Sequence, residues 1–254
     1  MALRLAARGR HAGSGVVQRF SDASGLALVA GGAKDSGGGR SCIAILGGSF
    51  DPVHNGHVAL GEYFVDLLAP DELRIIPTGN PWQKHGLQAT PQQRVEMVRR
   101  AFGQQAVPVR IDQQEIERAT VTYTIDTLQS LRKELGPEVS IVFLMGADQL
   151  QHLNTWQGWH ELFDYAHLCA ASRPGFGMEP AHVPAEVMAE FSKRAASPDQ
   201  IRNTAYGLTY LASNLAVDIS ATEIRAILHN GARPDALVPP GVLDYIEQHH
   251  LYKS

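Results

Sequence analysis

Short apolar runs of strand length alternate along residues 41–253 with longer segments whose apolar positions recur every three or four residues. The runs at 43–46, 73–77, 107–111, 141–145 and 166–171 read as strands. After the first of them, Leu60, Tyr63, Phe64, Leu67 and Leu68 fall at i, i+3, i+4, i+7 and i+8, which predicts a helix with one apolar face. Thr90-Pro91-Gln92-Gln93 opens a second helix with a capping box and a proline at its first position, and turns Val95, Val98 and Phe102 inward. A third helix is predicted over 123–135, with Leu128, Leu131 and Leu135 on one face and Gly136-Pro137 as its stop. Residues 180–206 are less patterned and predict a variable helical insertion. Ile224, Ile227 and Leu228 precede Gly231 in a last amphipathic stretch. Strands that alternate with helices imply right-handed crossovers and a parallel sheet. The expectation is therefore an α/β protein: a doubly wound, mostly parallel sheet flanked by helices, in a single domain over residues 41–254 with a C-terminal helical subregion. No internal repeat is present.

Composition supports that picture and narrows it. A chain of 254 residues, 44% of them hydrophobic, can bury a full α/β core. Cys42 and Cys169 are the only cysteines, which excludes a disulfide scaffold or a cysteine-rich zinc site and fits a reducing, cytoplasmic setting. No apolar run approaches membrane-spanning length. Residues 1–40 carry six basic side chains against two acidic ones, a net +4, which leaves −8 of the overall −4 on residues 41–254. An acidic body argues against general nucleic-acid binding, so a polyanionic substrate must be held by a local cluster of donors. The first forty residues, with Gly31, Gly32, Gly37, Gly38 and Gly39 near their end, are expected to be a disordered extension. Their Arg-rich, acid-poor start admits a transit-peptide reading beside that of a nonessential tail.

The first strand leads directly into Gly47-Gly48-Ser49-Phe50-Asp51-Pro52-Val53-His54-Asn55-Gly56-His57 and then into the first helix. Strand, glycine turn and helix start in that order build a phosphate cradle: the glycines permit close backbone approach, and a helix N-terminus favours an anion. His54 and His57 are three residues apart, so both imidazoles can donate to one phosphate, and Gly56 leaves no side chain between them. A plain tight turn, a helix-capping histidine and a metal pair are the local alternatives, the last needing a third ligand such as Asp51. Far along the chain, Ser220-Ala221-Thr222-Glu223 matches a capping box. A cap accounts for Ser220 and Glu223 but not for Thr222 or Arg225; a hydroxyl and a guanidinium near a helix N-terminus suit a β,γ-phosphate pair.

On these residues the chain resembles the nucleotidyltransferase superfamily with the histidine, any residue, glycine, histidine signature. Within it the best match is the bacterial-type nicotinate mononucleotide adenylyltransferases, over residues 42–253. The resemblance implies a Rossmann-like sheet and assigns roles residue by residue. His54, His57 and Arg225 are implied as catalytic. Gly47, Gly48, Ser49, Phe50, Gly56, Gly146, Asp148, Arg173, Ser220 and Thr222 are implied on the ATP side. Thr124, after Tyr123 at a helix start, matches the position that holds a pyridine carboxylate, and Trp156 matches the aromatic that packs on the pyridine ring. Asn80 and Lys84 belong to a loop, Gly79 to Gly86, that departs from the family pattern by carrying Trp82 where relatives have a small turn element. Trp156 as core, Thr124 as a cap, Asp148 as a turn residue and Arg173 as a solvated charge are the structural alternatives.

The implied substrates are ATP, with Mg²⁺, and nicotinate mononucleotide. A nucleotide 5′-phosphate is largely a dianion at neutral pH and can attack the α-phosphorus of ATP without a protein nucleophile. The expectation is direct in-line displacement with no covalent intermediate, no resident protein-held metal, and no membrane or nucleic-acid partner. A homo-oligomer is compatible with the sequence. Phosphopantetheine adenylyltransferases and cytidylyltransferases share the histidine signature but do not account for Thr122-Tyr123-Thr124 and Thr155-Trp156 as a pyridine site; a non-catalytic nucleotide sensor would need the cradle but not the attacking geometry, and His54, His57 and Arg225 together argue against it.

Overall fold

The apolar run after Ser41 forms the centre of a six-stranded sheet in the computed structural model, which describes residues 39–79, 86–118, 120–172, 183–212, 215 and 219–253. The strands are β1 (Cys42–Gly48), β2 (Glu72–Pro77), β3 (Val109–Ile111), β4 (Ser140–Gly146), β5 (His167–Ala171) and β6 (Thr209–Ala212). They lie in the order β3-β2-β1-β4-β5-β6, and every pairing is parallel. That is the doubly wound order, with the direction of winding reversing between β1 and β4.

Side chains on a strand alternate between its faces, and β1 uses this to join two cores. Cys42, Ala44 and Leu46 pack on one side with α1 (Asn55–Leu68), α2 (Pro91–Ala101), α7 (Ala221–His229) and α8 (Pro240–Gln248). Ile43 and Ile45 pack on the other with α4 (Thr124–Leu135), α5 (Ala185–Lys193) and three short 3-10 turns after β4. The predicted faces are the buried ones: Leu60, Phe64 and Leu68 in α1, Val95 and Val98 in α2, Leu128 and Leu131 in α4. The Thr90 and Gln93 capping box forms as expected, with both reciprocal bonds present.

Some elements differ from the sequence reading. The run at 107–111 yields only the three-residue β3, because the chain pairs with β2 from Val109 onward. The insertion resolves into α5 and the short α6 (Pro198–Asn203), followed by the edge strand β6; that strand has no run of its own and exists through its pairing with β5. A four-residue helix, α3 (Gln114–Glu117), precedes α4. The extension expected over residues 1–40 lies, but for its last two residues, outside the described residues, as do Asn80, Lys84 and Arg173. No helix of the described residues is long and apolar enough to cross a membrane.

His167 at the start of β5 is fully buried, and its ring is saturated as a neutral imidazole: Nδ1 accepts the Leu208 N–H at 3.0 Å, which leaves the Nε2 proton for the Thr204 carbonyl at 2.9 Å. Burial pushes its pKa down to about 4. The unfolded chain therefore takes up this proton first, so the stability due to His167 is present at pH 7 and is lost as the pH falls from about 6.5 toward 4. Unfolding by urea should show a loss of about 2 kcal/mol between pH 7 and pH 5 from this residue alone, and His167→Gln should flatten that dependence.

Candidate active site

At the carboxyl edge of the sheet, where the winding reverses, a cleft of about 660 Å³ opens over the ends of β1, β2 and β4. Crevices of this kind at the reversal point are where such sheets take ligands. Gly47, Gly48 and Ser49 from β1 and its turn, His54, Gly56 and His57 from the start of α1, and Ser220, Thr222 and Arg225 from α7 all line it. Two pieces of chain more than 160 residues apart thus converge on one cavity.

Why the β1–α1 turn takes its shape can be read locally. A Cβ on Gly48 would lie 3.0 Å from the Phe50 ring, so the backbone must pass close under that ring. Phe50 itself sits at φ 49°, in the left-handed region that non-glycine residues rarely enter, and the Asp51–Pro52 peptide is cis. The Phe50 ring is fully buried and does not line the cleft; it meets His57 edge-on, with centroids 4.9 Å apart. Its ring thus packs against the imidazole of His57.

His54 is the N-cap residue of α1, and its ring stacks on His57 with centroids 3.7 Å apart. The His54 backbone N–H donates to His57 Nδ1 at 3.2 Å. In the neutral ring this leaves the proton on Nε2, so His57 presents a donor edge away from its own backbone.

Beside the histidine turn, Ser220 is the N-cap of α7 but makes no side-chain cap bond, so the capping box weighed for Ser220 and Glu223 does not form. The Ser220 hydroxyl and the first-turn amides remain at the cleft wall, a helix N-terminus turned on the cavity. One turn on, Arg225 donates from Nη1 to the Asp51 carbonyl at 2.6 Å and from Nη2 to Thr222 Oγ1 at 3.2 Å. The guanidinium is therefore tied to the histidine turn across 174 residues of sequence.

The far end of the cleft is built differently. Thr124 is the first residue of α4, whose N-cap, Tyr123, makes no side-chain cap bond; Thr124 lines the cleft while Tyr123 does not. Trp156 follows a 3-10 turn, meets Phe143 of β4 edge-on at 6.3 Å, and carries a buried Nε1 with no hydrogen-bond partner among the described residues. Gly146, the last residue of β4, and Asp148, just after it, also line the cleft. Asn80, Lys84 and Arg173 are not among the described residues.

Arg94 and Glu115, which the sequence reading did not single out, organise this site together with Asp51, which it weighed only as a metal ligand. Arg94 in α2 is fully buried and donates to the carbonyls of Ser49 at 2.8 Å and Thr78 at 2.6 Å, clamping the ends of the β1 and β2 turns together. Burial pushes its guanidinium below its ordinary pKa, and the nearby Asp51 charge works against that shift. Its signal was present, since Arg94 falls in the inward stripe with Val98 and Phe102 at i+4 and i+8, where a charge needs a buried partner. Asp51 is buried at 2% exposure and accepts the N–H groups of Gln88 at 2.8 Å and Ala89 at 3.0 Å. Both of its carboxylate oxygens are thus engaged within the fold. Glu115 also lines the cleft; burial raises its carboxyl, and Thr127 Oγ1 donates to it at 2.7 Å. Gly79 approaches it so closely that a Cβ there would lie 1.9 Å from the Glu115 carbonyl oxygen. No group of three His, Cys, Asp or Glu side chains among the described residues could hold a metal.

Comparison with known proteins places the chain in a family. The cytidylyltransferase-like family profile matches residues 45–227. A probable nicotinate-nucleotide adenylyltransferase of Herminiimonas arsenicoxydans is 71% identical over 213 residues, covering 84% of this chain and 97% of the relative. One from Chromobacterium violaceum is 41% identical over 212 residues, 83% of this chain and 98% of the relative. Among solved structures, Plasmodium falciparum nicotinic acid mononucleotide adenylyltransferase complexed with NaAD aligns with a TM-score of 0.66 at 19% identity, over 84% of this chain and 98% of that one, a likeness of fold. With a sheet of this order, a cleft of this construction and relatives of this similarity along nearly their whole length, the chain belongs to the nicotinate-nucleotide adenylyltransferases of the cytidylyltransferase-like family.

Proposed function

We propose that this protein transfers the adenylyl group of ATP to nicotinate mononucleotide, forming nicotinate adenine dinucleotide and pyrophosphate in NAD biosynthesis. The observation that carries the reading is the convergence of His54, His57, Thr222 and Arg225 on a cleft that is also lined by Thr124, the first residue of α4, and by Trp156. A dinucleotide-forming enzyme needs these two halves: a polyanion site with several donors, and a site for the second nucleotide's base.

The chemistry requires no protein nucleophile. A phosphate oxygen of the mononucleotide bonds to the α-phosphorus as the bond from that phosphorus to the bridging oxygen of the leaving pyrophosphate breaks, and the electron pair departs with pyrophosphate. His57 Nε2–H, His54 and the α7 amides offer hydrogen-bond donors and the Arg225 guanidinium a positive charge to that leaving group, with His57 and Arg225 held in place before reaction by the bonds already described. Mg²⁺ enters as the metal complex of ATP and would supply charge neutralisation on its phosphates. At the other end, the helix N-terminus at Thr124 favours a carboxylate over a neutral amide. Trp156 offers a ring face to the pyridine. The reaction suits a cytoplasmic enzyme acting on small nucleotides.

Pyrophosphate release measured separately with nicotinate mononucleotide, nicotinamide mononucleotide and phosphopantetheine tests this directly. The first should be the preferred substrate; preference for phosphopantetheine would overturn the reading. In the same assay Trp156→Ala should raise the KM for the mononucleotide about tenfold while moving the KM for ATP little, as expected for loss of a stacked ring. Equal effects on both substrates would show Trp156 to be structural.

A further inference from the structure

Beyond α8 the chain turns back, and the Tyr252 side chain enters the interior to place its hydroxyl 2.7 Å from Asp51 Oδ1. We propose that Tyr252 is a positioning residue for the phosphate end of the cleft: its hydroxyl fixes Asp51, and Asp51 fixes Arg225. The proposal rests on the reading of that end as the pyrophosphate site.

Tyr252 is 7% exposed, so the ring alone would be served by any apolar side chain of its size; the hydroxyl is what needs explaining. It goes to a carboxylate that already accepts two backbone N–H groups, from Gln88 and Ala89. Three donors thus hold both carboxylate oxygens of Asp51, and a carboxylate held at both oxygens cannot rotate without breaking one of these bonds. The Asp51 main chain is fixed as a result, and its carbonyl oxygen is the group that receives Arg225 Nη1. The cations Arg94 and Arg225 both act electrostatically on the Tyr252 hydroxyl, which lies in the same charged cluster.

Backbone conformation at both ends of this bond points the same way. Tyr252 sits at φ 61° and Phe50, next to Asp51, at φ 49°, both in the left-handed region. Non-glycine residues persist there where surrounding contacts over-determine them, as at ligand sites. The hydroxyl–carboxylate bond joins those two strained turns across 201 residues of sequence. Asp51, Arg225 and His57 share the cleft wall, so a shift of the Asp51 carbonyl moves Arg225 relative to the imidazoles.

The test is titration of the full chain with inorganic pyrophosphate and Mg²⁺ by calorimetry, in Tyr252→Phe, Arg225→Lys and the double variant. Tyr252→Phe keeps the ring and should weaken pyrophosphate binding about tenfold, the effect of one hydrogen bond to a charged group. In the Arg225→Lys background the same change should have little further effect, because the route through Arg225 is already cut. p-Aminophenylalanine at position 252, which restores a donor on the ring, should recover most of the affinity. In the pyrophosphate-release assay, Tyr252→Phe should lower kcat and leave the KM for nicotinate mononucleotide within about twofold. Unchanged pyrophosphate affinity in folded Tyr252→Phe, additive losses in the double variant, or no recovery by the amine would each overturn the proposal. Should Tyr252→Phe fail to fold, the amine variant against wild type decides: affinity within about twofold supports it, and a tenfold loss overturns it. If the wild type binds pyrophosphate but does not turn over nicotinate mononucleotide, the substrate reading falls while the titrations still decide on Tyr252. A wild type that does not bind pyrophosphate overturns both.

Discussion

His57→Ala should lower kcat for adenylyl transfer by about a hundredfold, the usual cost of removing one preorganised donor to a developing anion, with the fold intact. The expectation rests on how the ring is held. His54 stacks on one face, Phe50 meets it edge-on, and the His54 backbone N–H occupies Nδ1, so the imidazole is fixed with Nε2–H as its outward donor. A donor fixed before reaction contributes to the barrier without reorganising during it. His57→Gln tests the geometry: its amide offers a donor but cannot be held by stacking and a backbone bond in the same way, so recovery should be partial. Pyrophosphate release under saturating substrates, with circular dichroism as the check on folding, is the measurement. A kcat within threefold of wild type would remove His57 from the mechanism.

Arg94→Met should be the most destabilising single change near the site, by about 3–5 kcal/mol, as when a buried charge loses its partner. Methionine restores the apolar volume but leaves the carbonyls of Ser49 and Thr78 without their donor and the buried Asp51 carboxylate without its nearby cation. Thermal unfolding should fall by about 10 °C for a chain of this size. Arg94→Lys should recover little, because one ammonium cannot serve two carbonyls with the forked geometry of a guanidinium. Activity should fall in both variants, since Ser49 and Thr78 both border the cleft. Retention of the wild-type melting temperature in Arg94→Met would show that the clamp contributes nothing to the folded state.

Neither expectation could have been framed from the chain alone with equal detail. The spacing of His54 and His57 after an apolar strand already pointed to a phosphate cradle, because the chemistry of that turn is local. Its supports were not local. The edge-on packing of Phe50 on His57 has no trace in the spacing, and the cap that Ser220 offered as the local alternative does not form. Asp51 could be weighed only as a third metal ligand, since its partners come from Gln88, Ala89 and Tyr252, and no spacing rule connects positions 51 and 252. Arg94 left a trace, a charge in the stripe with Val98 and Phe102, but the stripe does not say which carbonyls it meets.

What the sequence determined by itself is what short-range physics controls: apolar period, turn chemistry, the Thr90 and Gln93 cap, and the alternation of strand and helix that requires a parallel, doubly wound sheet. Tertiary structure decided the rest. It made β6 a strand by giving it an edge to pair with, although its own residues carry weak strand pattern. It brought Arg225 to the Asp51 carbonyl and Tyr252 to the Asp51 carboxylate, because buried polar groups must find partners wherever the closed fold leaves them, at any distance along the chain.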